Sequence, residues 1–527
     1  MHKKPFKQPV HTLIADYVKH HAQQTPDQEA VVFGEQRLTY AELNDRVILC
    51  AKALLSIGIQ KGDRVAVLCT SRPEYWITFL AATAIGAVWL GLNPKYQLQE
   101  IRYVIEDAQP KVLFAMAGFE GRRYTDMVGT LQAEYPFIEH TVSITETLPD
   151  TQSWADFMDL AVSIDDRDLK QRQAQVEAMD PALLVYASGS TGKPKGALLS
   201  HYGLCFGSEV GSRHLALRQP RILCHFPINH VACVADTCCV NLVAGGTIIF
   251  QERFDPAQVL HAIDHERLTL VGGVPTMLLM LLEHPNFNAT DFSSVELIAW
   301  GGAALPVSTI KRLQKLAPRL MNVYGMTETA ANTTYTSPEA DLIELSETIG
   351  RPSPYMPCRI INPESQLCAV GEHGELQFKG DYLLLEYLNR PEATRDVYTE
   401  DGWLHTGDLG YWRQNGTISL VGRMSDMFKS GGYNVYPREI EDLLESHPAI
   451  EMAAVVGIPD DRFQEVGAAY VIISTDQKAT VSELRDYCAA NLANYKTPKT
   501  ITIVDELPTL PVGKVDKVAL KQRAKAS

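Results

Sequence analysis

Apolar residues recur at helical spacing over residues 11 to 25 and 40 to 57, and Arg64–Leu68, entered through Lys61-Gly62-Asp63, is apolar enough for a buried strand. The alternation continues. Helix-like Tyr75 to Ile85 leads into Ala87–Leu90, and helix-like Leu98 to Asp107 leads into the strand Lys111–Phe114. Helices and strands in turn predict an α/β fold, with parallel sheets covered by helices. Residues 139 to 180 are polar and weakly patterned and read as a loop-rich connection, after which Ala182–Tyr186 is another buried strand. Val271 to Thr276 and Leu297 to Pro306 each read as a strand ending in a glycine turn, the first followed by the helix Met277 to Leu282. From about Asp426 the pattern becomes a small α+β unit. Its elements are an amphipathic helix from Arg438 to Ser446, strands at Met452–Gly457 and Ala468–Ile473, and a capping box, Thr480 to Glu483, opening a helix to Leu492.

The loop after the strand at Tyr186 carries candidate chemistry. Its order is Tyr-Ala-Ser-Gly-Ser-Thr-Gly-Lys-Pro-Lys-Gly. Gly189 and Gly192 let backbone N–H groups approach an anion, Ser188, Ser190 and Thr191 supply hydroxyls, and Lys193 and Lys195 supply cations. The spacing excludes a Walker A loop, because two residues separate these glycines and Pro194 follows Lys193. Further along, Tyr324 offers a face for a base, Thr327 a hydroxyl for a phosphate and Glu328 a hard oxygen for Mg²⁺. Asp408 can accept two hydrogen bonds from a vicinal diol.

The order of the loop resembles the phosphate loop of the acyl-adenylate-forming enzymes, which include acyl-CoA synthetases, luciferases and peptide-synthetase adenylation domains. Ser190 stands for the first residue of the usual Thr-Thr pair. Val323–Thr329 is similar to the family's Tyr-Gly-x-Thr-Glu box, and His405–Asp408, Gly422–Asp426 and the segment Leu507–Val515 are similar to three further boxes, in the family's order. Ser425 departs from the usual hinge Asp or Lys, Leu510 replaces a commoner polar residue, and Glu386-Tyr387 replaces a commoner Gly-Tyr in what reads as a surface turn. The resemblance implies a large N-terminal domain of stacked α/β subdomains over residues 1–424 and a small mobile α+β lid over 425–527 carrying the catalytic Lys514. It implies an adenine slot at Gly302, Ala303 and Tyr324, a ribose site at Asp408 and Arg423, a metal ligand at Glu328, and a pantetheine channel at Gly431 and Gly432. Candidate walls of an acyl pocket are Ile228, His230, Val231, Val274, Leu278, Trp300, Gly302 and Met326.

The implied activity is ATP-dependent activation of a carboxylic acid through acyl-AMP, with Mg²⁺, and transfer of the acyl group to coenzyme A. The apolar walls favour a medium- or long-chain fatty acid, with an aromatic or alicyclic acid as the alternative. Loading of a separate carrier protein and an inactive scaffold are rival readings, the latter disfavoured because Glu328, Asp408, Arg423 and Lys514 are all present. Composition narrows the setting. A net charge of −15 over 527 residues argues against nucleic-acid backbones and anionic membranes as partners. The longest near-apolar run, Phe79 to Leu92, is too short to span a bilayer, and ten cysteines without a Cys-x-x-Cys pair suit a reducing cytoplasm. A homodimer is compatible with all of this.

Overall fold

The computed structural model describes residues 8–187, 194–431, 433–474, 477–510 and 513–526. Helices span Asp16–Gln24, Tyr40–Ser56, Pro73–Ala84, Leu98–Ala108 and Pro437–Glu445, close to the periodic segments. Local chemistry sets their ends. Thr39 and Glu42 close a capping box on the second of these, and Pro73 opens the third where its missing N–H costs nothing. Residues 139 to 180 hold more structure than a loop: a strand His140–Ser143 and helices Trp154–Asp159 and Asp166–Gln173. The side chains of Ser153 and Asp165 cap these two helices, which carry too few apolar residues to show a period.

Among the described residues, the strands gather mainly into two large sheets and two smaller ones. In the eight-stranded sheet Pro181–Ala187, Val88–Leu92, Arg64–Leu68, Val112–Ala115 and His140–Ser143 are parallel neighbours, and Lys195–Ser200 turns back antiparallel to Pro181–Ala187. In the nine-stranded sheet Arg319–Gly325, Leu297–Gly301, Leu270–Gly273, Arg221–Cys224, Thr247–Phe250 and Glu29–Phe33 run parallel in that order. Three neighbouring strands of this sheet therefore end in glycine at one carboxyl edge, the edge where ligands of open α/β sheets bind.

The helix Pro73–Ala84 touches Val88–Leu92 of one sheet and Glu29–Phe33 of the other. Its residues from Tyr75 to Thr83 are all buried, as befits a helix that is apolar all round. Trp76 stacks on Phe79 with ring centroids 5.3 Å apart, and Trp89 meets Phe79 edge-on at 5.7 Å. Burying Phe79 alone contributes about 1.5–3 kcal/mol. No helix among the described residues is long and apolar enough to cross a membrane.

An antiparallel sheet of Cys358–Ile361, Gly374–Phe378, Leu404–Trp412 and Ile418–Arg423 follows. Beyond it Ile450–Asp460 and Gln464–Ile473 form a hairpin longer than the two apolar runs predicted, with Thr500–Ile503 added in parallel. The helix Pro437–Glu445 packs on this hairpin. A closing helix, Lys517–Ala526, is too rich in charge to stand out as a periodic segment.

Candidate active site

Two glycines at the carboxyl edge of the large sheet are required by their surroundings. A Cβ on Gly325 would meet the Ala331 carbonyl oxygen at 2.5 Å. Gly302 has φ +87°, and a Cβ there would stand 2.7 Å from Cε of Lys514. The space left by the missing side chain at Gly302 is thus occupied by a lysine stem from more than 200 positions further along the chain. Gly302 and Ala303 are exposed to the cleft.

Backbone hydrogen bonds hold Lys514 in this position. Leu510 N–H donates to the Lys514 carbonyl at 2.7 Å, Gly513 N–H donates to the Leu510 carbonyl at 2.8 Å, and Thr509 pairs with Val515. Thr276 Oγ1 donates to the Gly513 carbonyl at 3.0 Å, tying Gly513 to the start of the helix Pro275–Glu283. Gly513 has φ +82°, and a Cβ there would press on Val274 at 2.7 Å. Burial and the nearby Arg423 guanidinium lower the Lys514 ammonium below its ordinary range, against the opposing pull of Asp408 and Asp236.

Asp408 and Arg423 are cross-strand partners in the antiparallel sheet. Arg423 Nε lies 3.0 Å from Asp408 Oδ1, and the Tyr324 hydroxyl donates to Oδ2 at 2.5 Å. Each carboxylate oxygen has two lone pairs, so Asp408 keeps one on each oxygen for a ligand. Burial, with the Asp408 charge beside it, pushes the Tyr324 phenol well above its usual range, so it remains a donor. Behind Asp408, Thr406 Oγ1 accepts from the Asp408 N–H at 3.0 Å and donates to the Leu376 carbonyl at 2.7 Å.

Glu328 sits in a single 3₁₀ turn, Thr327–Thr329, just beyond Gly325. Its Oε1 accepts from the Tyr387 hydroxyl at 2.6 Å, and its carbonyl accepts from Leu384 N–H at 2.8 Å. Lys195 Nζ lies 5.2 Å over the Tyr387 ring. Among the described residues Oε2 of Glu328 has no partner, and a single spare carboxylate oxygen suits Mg²⁺, which takes one or two carboxylates together with substrate phosphates. Tyr387 is a site residue that sequence reasoning missed. Glu386 is exposed on a short edge strand, but Tyr387 is buried and holds the acidic group in place. Of the phosphate loop, Ser188, Gly189, Ser190, Thr191, Gly192 and Lys193 lie outside the described residues, as does Gly432. The flanks of the loop are anchored: Tyr103 donates to the Pro194 carbonyl at 2.7 Å, and Tyr186 donates to Asp107 at 2.8 Å. Gly431 has φ +58° and donates its N–H to the Phe463 carbonyl at 2.8 Å.

Thr327, Glu328, Tyr324, Asp408, Arg423 and Lys514 share one cleft of about 2040 Å³. His230, Val231, Val274, Trp300 and Met326 also line it. Ile228 and Leu278 do not; both are buried in the core behind, the Ile228 carbonyl lying where a Cβ on Gly91 would be. His230 Nδ1 accepts from Ala232 N–H at 3.1 Å. Burial and the Lys514 charge lower His230 to about 4. It is neutral near pH 7, with its proton on Nε2.

The chain matches the family model of the AMP-binding enzyme over residues 18–388 and that of the AMP-binding enzyme C-terminal domain over residues 439–514. It belongs to the AMP-binding enzyme family. Its similarity to a putative acyl-CoA synthetase, YngI of Bacillus subtilis (strain 168), is 32% identity over 98% of this chain and 97% of that one. A feruloyl-CoA synthase of Amycolatopsis sp is 34% identical over 95% of this chain and 97% of that one. The crystal structure of ATP-bound MatB from Rhodopseudomonas palustris superposes with a TM-score of 0.84, at 29% identity, covering 97% of this chain and 99% of that chain. Within the family, the protein is an AMP-forming acid–thiol ligase acting through an acyl-adenylate.

Proposed function

We propose that the protein is an ATP-dependent acyl-CoA ligase for a hydrophobic monocarboxylate, built as a large domain over residues 1–424 and a lid over 425–527. The observation that carries this reading is the arrival of Lys514 against Gly302, beside Asp408 and Arg423. A cation there can neutralise an acid and a phosphate at once, and the reaction needs both anions brought together.

In the first half-reaction a carboxylate oxygen of the acid attacks the α-phosphorus of ATP. The bond from that phosphorus to the bridging oxygen breaks, and pyrophosphate leaves with the electron pair. Lys514 spans the carboxylate and the α-phosphate, Thr327 donates to that phosphate, and the loop around Lys193 and Lys195 receives the pyrophosphate. Asp408, held by Tyr324 and Arg423, accepts from the ribose hydroxyls. Magnesium, when bound, neutralises phosphate charge, and Glu328 is the residue that would hold it. His230 stands at the mouth of the acyl pocket as a neutral donor through Nε2.

In the second half-reaction the lid turns about Ser425 and withdraws Lys514. The thiol sulfur attacks the acyl carbonyl, the bond to the phosphate oxygen breaks, AMP leaves and the thiol proton passes to solvent. Closure also keeps water from the adenylate. Coenzyme A as the thiol is supported by the likeness to the feruloyl-CoA synthase and by the glycine turn at Gly431. The ten cysteines are all free thiols, eight of them buried, which supports a cytoplasmic setting.

The test is pyrophosphate release by the purified protein with Mg-ATP, CoA and fatty, aromatic and alicyclic acids, beside Lys514→Ala. Acid-dependent release with formation of an acyl-CoA, lost in the variant, is the expected result. Release without a thioester would replace CoA by a carrier protein, and preferred turnover of malonate would overturn the monocarboxylate.

A further inference from the structure

Part of the cleft is lined by groups that the mechanism above does not use. Gly207 and Gly211 of the helix His201–Leu215, Asp236 and Val240, and Asn332 and Tyr335 of the strand Asn332–Tyr335 surround it. These elements stand close together, because a Cβ on Gly211 would meet Val240 Cγ2 at 3.2 Å and the Tyr335 hydroxyl at 3.6 Å. At Gly207 a Cβ would run into Ala331 Cβ at 2.4 Å, so these glycines let the helix pack closely on its neighbours at the cavity wall.

Asp236 is the one acidic group among these six residues. It lies on a π-helix, Ala232–Cys239, a local widening of the helix that is frequent at functional sites. Among the described residues its Oδ1 is buried without a hydrogen-bond partner, while the Asn332 backbone N–H favours its charged form. The carboxyl torsion of Asp is broad, so either oxygen can turn to the cavity. The titratable and charged groups that act on it are Lys514, Tyr335 and Cys239. Burial pushes the carboxyl up to about 7 despite Lys514 and the Asn332 N–H. An acceptor left unpaired inside a protein is costly unless a ligand supplies the missing donor.

The position relative to the reacting end is bounded. His230 and Asp236 both act electrostatically with Lys514, and Asp236 follows His230 by six residues, no more than about 9 Å at helical rise. On the ligase reading the lysine stands at the carboxylate end of the acid, and Asp236 lies at most about 9 Å beyond His230 along the helical segment.

We propose that Asp236 is a specificity-determining residue that accepts a hydrogen bond from a hydroxyl or amino group carried by the acid at the end remote from its carboxylate. The substrate class is accordingly a donor-bearing hydrophobic acid rather than a plain hydrocarbon acid. This rests on the ligase reading above and narrows it. A pocket built to meet a substrate hydroxyl discriminates strongly against the analogue without one, because the partner is then left unpaired.

Calorimetry with non-hydrolysable acyl-sulfamoyl adenosines tests this without turnover. The probes are a 3-arylpropanoyl and an octanoyl series, each with a terminal hydroxyl, its methyl ether and its unsubstituted parent. The full-length protein should bind the hydroxyl member of at least one series more than tenfold tighter than both the ether and the parent. Asp236→Leu should abolish that preference, and Asp236→Asn, which keeps the shape if Leu does not fold, should reduce it. Equal affinities within both series, a preference for the ether, failure of both hydroxyl members to bind, or a preference that survives in both variants overturns the proposal. Product analysis with CoA keeps the two readings apart: pyrophosphate release without acyl-CoA strikes the ligase reading alone.

Discussion

Replacing Tyr387 by Phe removes one oxygen atom and keeps the ring. The lost group is the donor to Glu328 Oε1 at 2.6 Å, and its acceptor is buried. A hydrogen bond to a charged acceptor contributes about 1.5–3 kcal/mol, and at about 1.4 kcal/mol per tenfold that is roughly 10- to 100-fold in an equilibrium. Groups that orient a metal-binding side chain change metal affinity over the same range. The Lys195 ammonium keeps an aromatic face beneath it, so the phosphate loop retains its flank. Tyr387→Phe should therefore raise the Mg²⁺ concentration that half-saturates pyrophosphate release by 10- to 100-fold. At saturating Mg²⁺ most of the rate should return. The measurement is a magnesium titration of initial rates at fixed ATP and acid, with circular dichroism to confirm the fold. An unchanged half-saturation, or a loss that no amount of Mg²⁺ restores, would refute the assignment of Glu328 as the ligand that Tyr387 orients.

Gly302→Ala places a Cβ 2.7 Å from Lys514 Cε at φ +87°, a backbone state that costs an L-residue about 1–2 kcal/mol. The lysine stem must move by about 1 Å, which lowers adenylation roughly 100-fold. Thiolysis of supplied acyl-adenylate at saturation should be unaffected, and equal loss in both half-reactions would count against the Lys514 assignment. For Asp236 the folded carboxyl titrates at about 7 and the unfolded one near 4, so the folded state holds the extra proton and stability falls as pH rises between them. Between pH 5 and 8 Asp236→Asn should gain about 3 kcal/mol on the parent. Parallel thermal midpoints across that range would contradict it. Lys514, lowered by burial and Arg423, must be charged to work, so kcat/KM for adenylation should fall on an alkaline limb below the ordinary lysine range. Lys514→Arg should abolish that limb, since a guanidinium stays protonated there, whatever its effect on the plateau rate.

The parts legible in the sequence are those whose chemistry is compressed into consecutive residues. The parallel strands show as apolar runs, and Tyr324 to Glu328 is one run because a strand end and the turn after it place the proposed base, phosphate and metal groups within a few residues. Tyr387 could not be read this way. Its partner lies 59 positions earlier, and the pairing exists only because the edge strand Glu386–Tyr387 joins Lys195–Ser200. Ile228 and Leu278 illustrate a different limit, since an apolar side chain looks the same in a sequence whether it walls a cavity or stands one layer behind it. Asp236 shows both. It falls in a stretch that reads as small and apolar, and the π-helix that turns it toward the cavity has a period that the 3.6-residue pattern does not register. A lone acidic residue in such a stretch is nevertheless a signal. Burial of a carboxyl is expensive, so its presence among Cys233, Val234, Ala235 and Thr237 already asks for a partner, and the structure narrows the question to the contents of the cavity.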